Sequence, residues 1–159
     1  MDIKELKPTS IWHYFDAITG VPRPSKKEER IREFLLNFAK EQNLEVKVDK
    51  TGNVVITKEA TPGCEGAPTV ILQAHMDMVC EKNGDVKHDF ERDPIETYID
   101  GEWVKARGTT LGADNGIGMA AAMAVLADKE LKHGRIQALF TVDEETGLTG
   151  AFGLESGMI

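Results

Sequence analysis

The chain has 159 residues, 41% of them hydrophobic, which suits one domain with a packed core and excludes a disordered chain. Nineteen basic against 27 acidic residues leave a formal charge of −8. That balance argues against nucleic acid, whose binders present basic faces, and against an anionic membrane surface.

In chain order, Thr9 or Ser10 can cap a first short helix carrying Ile11, Trp12, Phe15 and Ile18. Val21-Pro22-Arg23-Pro24-Ser25 interrupts it, because neither proline fits inside a helix. Ser25 and Glu28 have the spacing of a capping box, and Ile31, Phe34, Leu35 and Phe38 recur behind it, predicting an amphipathic helix over residues ~26–42. Leu44, Val46 and Val48 then alternate with Glu45, Lys47 and Asp49, as in a half-exposed strand. Thr51-Gly52-Asn53 turns the chain, and Val54 to Thr57 is the expected hairpin partner.

The run TVILQA, a strand over residues ~69–74, is apolar enough to be buried on both faces of a sheet between helices. A polar loop from Glu81 to Pro94 follows, then Trp103-Val104-Lys105-Ala106 as a short strand. Asn115 to Asp128 has the small residues of a closely packed helix. IQALFTV, residues ~136–142, is a second buried strand, and TGLTGAFGL begins a Gly-rich helix. Strands alternating with helices predict an α/β sandwich.

The first ten residues alternate in charge and lack the apolar region of a signal peptide. The longest apolar stretch, Ile117 to Ala127, falls short of the ~18 residues that cross a bilayer. Cys64 and Cys80 form neither a disulfide framework nor a CxxC zinc pair, so two reduced thiols in a cytoplasmic protein are expected.

Both of the most apolar strands run into groups that can do chemistry. TVILQA leads into His75-Met76-Asp77, and IQALFTV into Asp143-Glu144-Glu145. Sites in open α/β sheets lie beyond the carboxyl ends of strands, where both clusters fall if the two strands are parallel neighbours. Residues i and i+2 of an extended segment share a side, so Asp77 can hold the His75 imidazole in one tautomer. An ordinary histidine–aspartate surface pair is the alternative.

Asp114, in LGADNGIGMA, is either a helix N-cap or a functional carboxylate. The glycines at 112, 116 and 118 suggest backbone folded tightly around something, without the Gly-Lys-Ser/Thr of a phosphate loop. The three acids from Asp143 to Glu145 are either a solvated strand end or carboxylates whose repulsion a cation relieves. His13, His88 and His133 lack a partnered pattern, HDFERDP lacks the spacing of a calcium loop, and Cys80 has no activating base nearby in sequence.

Taken together, VPRPS, LQAHMDMV, HDFERDPI, YIDGEWVKARGTTLGADNGIGMA and VDEETGLTGAFGL resemble the co-catalytic zinc peptidase family that includes the aminoacyl-histidine (Xaa-His) dipeptidases. The resemblance covers nearly the whole chain and is most specific in the long GEWVKARGTTLGADNGIG stretch. It implies a helix–sheet–helix sandwich of the zinc-peptidase type and metal-dependent hydrolysis of dipeptides at a two-zinc centre. By that resemblance His75 binds one metal, Asp114 bridges two, and Glu145 binds the second. Asp77 orients His75, and Glu144 is the general base. Two divalent cations about 3.5–4 Å apart call for a shared carboxylate, and a carboxylate beside them can take a proton from activated water.

The family supplies one more acidic ligand beyond Asp-Glu-Glu, a last histidine far downstream, and an inserted domain used as a lid or for dimerisation. None of these lies in residues 1–159. The expectation is therefore the N-terminal part of a catalytic domain, inactive alone, from a parent that takes small peptides and forms a homodimer through the missing domain. Zinc is the expected metal, with cobalt or manganese as substitutes. The alternative is a non-catalytic domain that binds one metal or a protein partner.

Overall fold

The computed structural model describes residues 2–159. A short 3-10 turn at Ile3–Glu5 precedes helices α1, Thr9–Thr19, and α2, Glu29–Glu41. The hairpin β1, Glu45–Val48, and β2, Val54–Lys58, leads to β3, Val70–His75. A second hairpin, β4 at Thr97–Asp100 and β5 at Trp103–Ala106, precedes helix α3, Ala113–Ala127. Strand β6, Ile136–Thr141, and a single helical turn, α4 at Thr149–Phe152, complete the fold.

The main sheet has the order β1-β2-β6-β3, with β2 antiparallel and β3 parallel to β6. Alternation decides which residues meet the helices. Val54 and Ile56 of β2, Leu72 and Ala74 of β3, and Ile136, Ala138 and Phe140 of β6 join one core with Phe15, Ile31, Leu35 and Met119 of the three long helices. The intervening Val55 and Leu139 point to the other face, where Leu154 and Met158 cover them. The small residues of α3 let it lie close to α1 and to β3; a Cβ on Gly118 would come within 3.4 Å of the Ala74 Cβ. The mixed α/β class holds, with the long helices on one face and residues 148–158 over part of the other.

Strand β6 is buried along its whole length, as its apolar run predicts. Strand β3 corrects the expectation of burial. It lies at the edge of the sheet, and Val70 and Ile71 are 51% and 46% exposed. An apolar run shows that a strand can be buried, but a neighbour must cover it. Among the described residues no strand pairs with the outer edge of β3.

Three local expectations also change. Helix α2 starts at Glu29, and neither Ser25 nor Glu28 forms the capping box. The Ser25 hydroxyl donates to Asp77, while Glu28 accepts from the Lys26 and Asp143 amides, so long-range partners outcompete the local cap. Pro8, not Thr9 or Ser10, precedes the first turn of α1. Strand β4, unforeseen in the sequence, pairs with β5 across the two-residue turn Gly101-Glu102, with Gly101 at φ 60°. Among the described residues no helix is long and apolar enough to cross a membrane.

Candidate metal centre

Strands β3 and β6 leave the sheet at the same end, with His75 in register beside Thr141. His75-Met76-Asp77 and Asp143-Glu144-Glu145 therefore meet beyond the sheet. Asp143 takes a left-handed φ of 47°, a conformation that aspartate tolerates better than most residues, and the chain turns there.

His75, only 5% exposed, stands among the acids. Its Nδ1 lies 3.0 Å from the Asp77 carbonyl oxygen and 3.2 Å from Asp77 Oδ1. Its Nε2 lies 3.1 Å from Asp114 Oδ1 and 3.8 Å from Glu144 Oε2. Two acceptors at Nδ1 make that nitrogen the fixed donor, which turns Nε2 toward the carboxylates. Burial disfavours the imidazolium, but hydrogen bonds to Asp77 and Asp114 outweigh it and lift the pKa to about 9. A proton on Nε2 thus stands where a metal ion would take the nitrogen lone pair.

Asp77 is completely buried and connects the two clusters. Its Oδ1 accepts from the Glu144 amide at 3.0 Å, and its Oδ2 accepts from the Glu145 amide at 3.2 Å and from Ser25 Oγ at 2.7 Å. Burial alone would raise its pKa; the bonds from His75, Ser25 and the two amides hold it well below the usual carboxylate range. One side chain therefore orients the histidine and fixes the backbone of both glutamates. Only the first of these duties was legible in the His-x-Asp spacing.

Asp114 lies where the start of α3 departs from helical geometry, with φ −88° and ψ 108°. It makes no capping bond, so the N-cap alternative falls away, and its carboxylate meets His75 instead. His75, Glu144 and Glu145 each offer a ligand atom within 4.8 Å of the others; Asp114 stands outside that set, its side chain 88% exposed. Burial raises the Glu145 pKa, and the Glu144, Asp114 and Asp77 carboxylates push it further up while His75 opposes them. More negative charge gathers here than one imidazolium balances. One imidazole with several carboxylates is a donor set that suits zinc and harder divalent cations.

A second group, Glu28, Asp77 and Asp143, is wholly buried and also within 4.8 Å. Its oxygens are already engaged: Asp143 accepts from Thr146 and Thr149 at 2.6 Å each, and Glu28 from the Asp143 amide at 2.9 Å. These acids build the turn that carries Glu144 and Glu145. Ser25, Glu28 and Arg23 escaped the sequence reading because their partners lie 52 to 115 positions away. A cavity of about 340 Å³ runs from His75, Asp114 and Glu144 to the apolar Leu139, Leu148 and Leu154. Cys80 is half-buried, and burial pushes its thiol pKa up, which removes it further from nucleophilic use.

Asp77→Asn tests the connecting role. Whichever way the new amide is turned, its NH2 faces the amide N–H of either Glu144 or Glu145. Each buried group left unsatisfied costs about 1–3 kcal/mol, so the urea midpoint of the metal-free variant should fall measurably. An unchanged midpoint would show that Asp77 does not hold the two clusters together.

A profile described as peptidase family M20/M25/M40 matches residues 71–158, more than half of the chain. The cytosol non-specific dipeptidase of Escherichia coli (strain K12) is 52% identical over 158 residues, covering 99% of this chain and 33% of that protein. The crystal structure of aminoacylhistidine dipeptidase from Vibrio alginolyticus matches with a TM-score of 0.97 and 57% identity, covering 100% of this chain and 32% of that one. A tripeptidase from Staphylococcus aureus matches with a TM-score of 0.79 and 25% identity over 97% of this chain and 41% of that one. The chain spans about a third of the length of the dipeptidase relatives it matches.

Proposed function

The chain belongs to peptidase family M20/M25/M40, and from that premise we propose that residues 1–159 are the N-terminal part of the catalytic domain of a zinc-dependent dipeptidase. The observation that carries this reading is the convergence of His75, Glu144 and Glu145 on one point, with Asp114 at His75 Nε2.

In this reading His75, Asp114 and Glu145 would hold the zinc, His75 and Glu145 one ion each and Asp114 both. Further ligands come from outside these residues. When bound, zinc supplies Lewis acidity, which lowers the pKa of water toward about 7 and favours negative charge on a peptide carbonyl oxygen. Asp77 holds the His75 tautomer. Glu144, fixed through its amide by Asp77, takes a proton from the attacking water and returns it to the departing amine. The substrates are unblocked dipeptides, including those with C-terminal histidine, after the names of the two dipeptidase relatives. A homodimer formed through a separate lid domain, and a cytosolic location like that in the Escherichia coli relative's name, complete the proposal.

A domain that binds one metal and hydrolyses nothing is the second reading, favoured by Asp114 standing outside the His75–Glu144–Glu145 set. Zinc titration of residues 1–159 beside a dipeptide assay of a protein of the relatives' length separates the two. The first reading expects chelator-sensitive hydrolysis by the longer protein. Chelator-insensitive cleavage sinks the metal mechanism, and no cleavage leaves the second reading. Because the pKa of His75 is raised to about 9, calorimetry at pH 7 in two buffers of different ionisation enthalpy should find about one proton released per chain as zinc binds at His75. No proton release would mean that the imidazole is not a ligand.

A further inference from the structure

We propose that Arg23 is a positioning residue for this centre: its guanidinium pins the segment carrying His75 and Asp77 to the segment leading into Asp114, and so sets the spacing of those ligands. The inference rests on the metal reading above and names a residue to which that reading gives no part.

Arg23 lies between two prolines in Val21-Pro22-Arg23-Pro24-Ser25 and is 2% exposed. An arginine so deeply buried is ordinarily paired with an acid. Among the described residues it makes no salt bridge; three main-chain carbonyls receive it instead. Nη1 donates to Met76 O and to Asp77 O at 3.1 Å each, and Nη2 donates to Gly112 O at 2.5 Å. The backbone adds to the join, since the Met78 amide donates to Arg23 O at 3.2 Å and Pro24 pairs with Met78.

The partners of this side chain are informative. Asp77 O also accepts from His75 Nδ1 at 3.0 Å, so one carbonyl serves both the guanidinium and the imidazole. Gly112 stands two residues before Asp114. A planar fork with five donors reaches three carbonyls at fixed angles, which an ammonium cannot do.

The glycines of the LGADNGIGMA segment make room for it. A Cβ on Gly112 would stand 2.5 Å from Nη2, and one on Gly116 would stand 2.7 Å from the same atom. Gly112 also has φ 70°, which a side chain would strain. The guanidinium is the group around which this glycine-rich backbone is folded.

The test uses Arg23→Lys and Arg23→Met in the 159-residue chain, with two readouts: zinc affinity by calorimetry, and amide exchange of the metal-free protein by NMR. Loss of a group that orients metal ligands typically costs about 10–100-fold in affinity, and that loss is expected for Arg23→Lys. Exchange should accelerate at Met78, bonded to Arg23 O, and at Gly116, bonded to Gly112 O, while β2 and β6 stay protected. If Arg23→Met fails to fold, Arg23→Lys decides. Wild-type affinity in a folded Arg23→Lys, or exchange accelerated equally in β2 and β6, overturns the proposal. If the wild-type 159-residue chain takes no zinc, the affinity comparison is made in a protein of the relatives' length. No zinc in that protein ends the metal reading and the positioning role with it, whereas zinc held equally by wild type and Arg23→Lys there overturns the positioning role alone.

Discussion

Glu144→Gln should leave zinc in place and lower peptide turnover by about 10²–10⁴-fold, the usual contribution of a general base. Gln keeps the length and shape of the side chain, and the bond to Asp77 is made by the Glu144 main-chain amide, so the backbone stays where it is. What disappears is the carboxylate that can carry a proton. Its side chain is 34% exposed, open enough to meet a substrate, and its Oε2 lies 3.8 Å from His75 Nε2. Kinetics of a protein of the relatives' length, with elemental analysis of its zinc, make the check. Normal zinc with normal turnover would remove Glu144 from the mechanism. Depleted zinc would make it a ligand, an outcome within reach because Glu144 and Glu145 share one ligand set with His75.

His75→Ala should weaken zinc by more than the ~10–100-fold expected for an orienting partner, and abolish turnover with it. Asp114→Ala should also weaken zinc, but the metal-free protein should distinguish the two variants. With its pKa raised from 6.5 to about 9, His75 stabilises the metal-free fold fully below pH 6.5, and that contribution is lost as pH rises through about 9. Wild-type stability should therefore decline across that window, and His75→Ala should remove that part of the decline. Urea unfolding in chelator at several pH values measures it. An unchanged slope in His75→Ala would mean that the imidazolium does not balance the surrounding acids.

Local pattern carried much of this protein. The helical spacing of Ile31, Leu35 and Phe38 and the apolar run of β6 each reflect the period of a backbone whose neighbours lie a few residues away. The chemistry-bearing clusters were legible for a related reason. His75-Met76-Asp77 and Asp143-Glu144-Glu145 end apolar strands, and charged groups placed there must face either solvent or a site.

What the sequence determined by itself was therefore the kinds of element, the donor types and the order in which they come. The tertiary structure alone decided which acid met which donor. Ser25 and Glu28 have the spacing of a cap, yet each spends its side chain on a partner far along the chain, because burying Asp77 and the Asp143 turn requires every oxygen and N–H there to be satisfied. Arg23, in the segment that interrupts the first helix, shows no partner in the sequence; in the fold three carbonyls and two glycines close around it. The exposure of β3 follows the same rule in reverse. Its residues are apolar enough to be buried, but burial belongs to a pair of surfaces, and the outer edge of β3 has no second strand among the described residues. Local periodicity records only one side of such a contact; the other side comes from residues dozens of positions away, where the fold brings them.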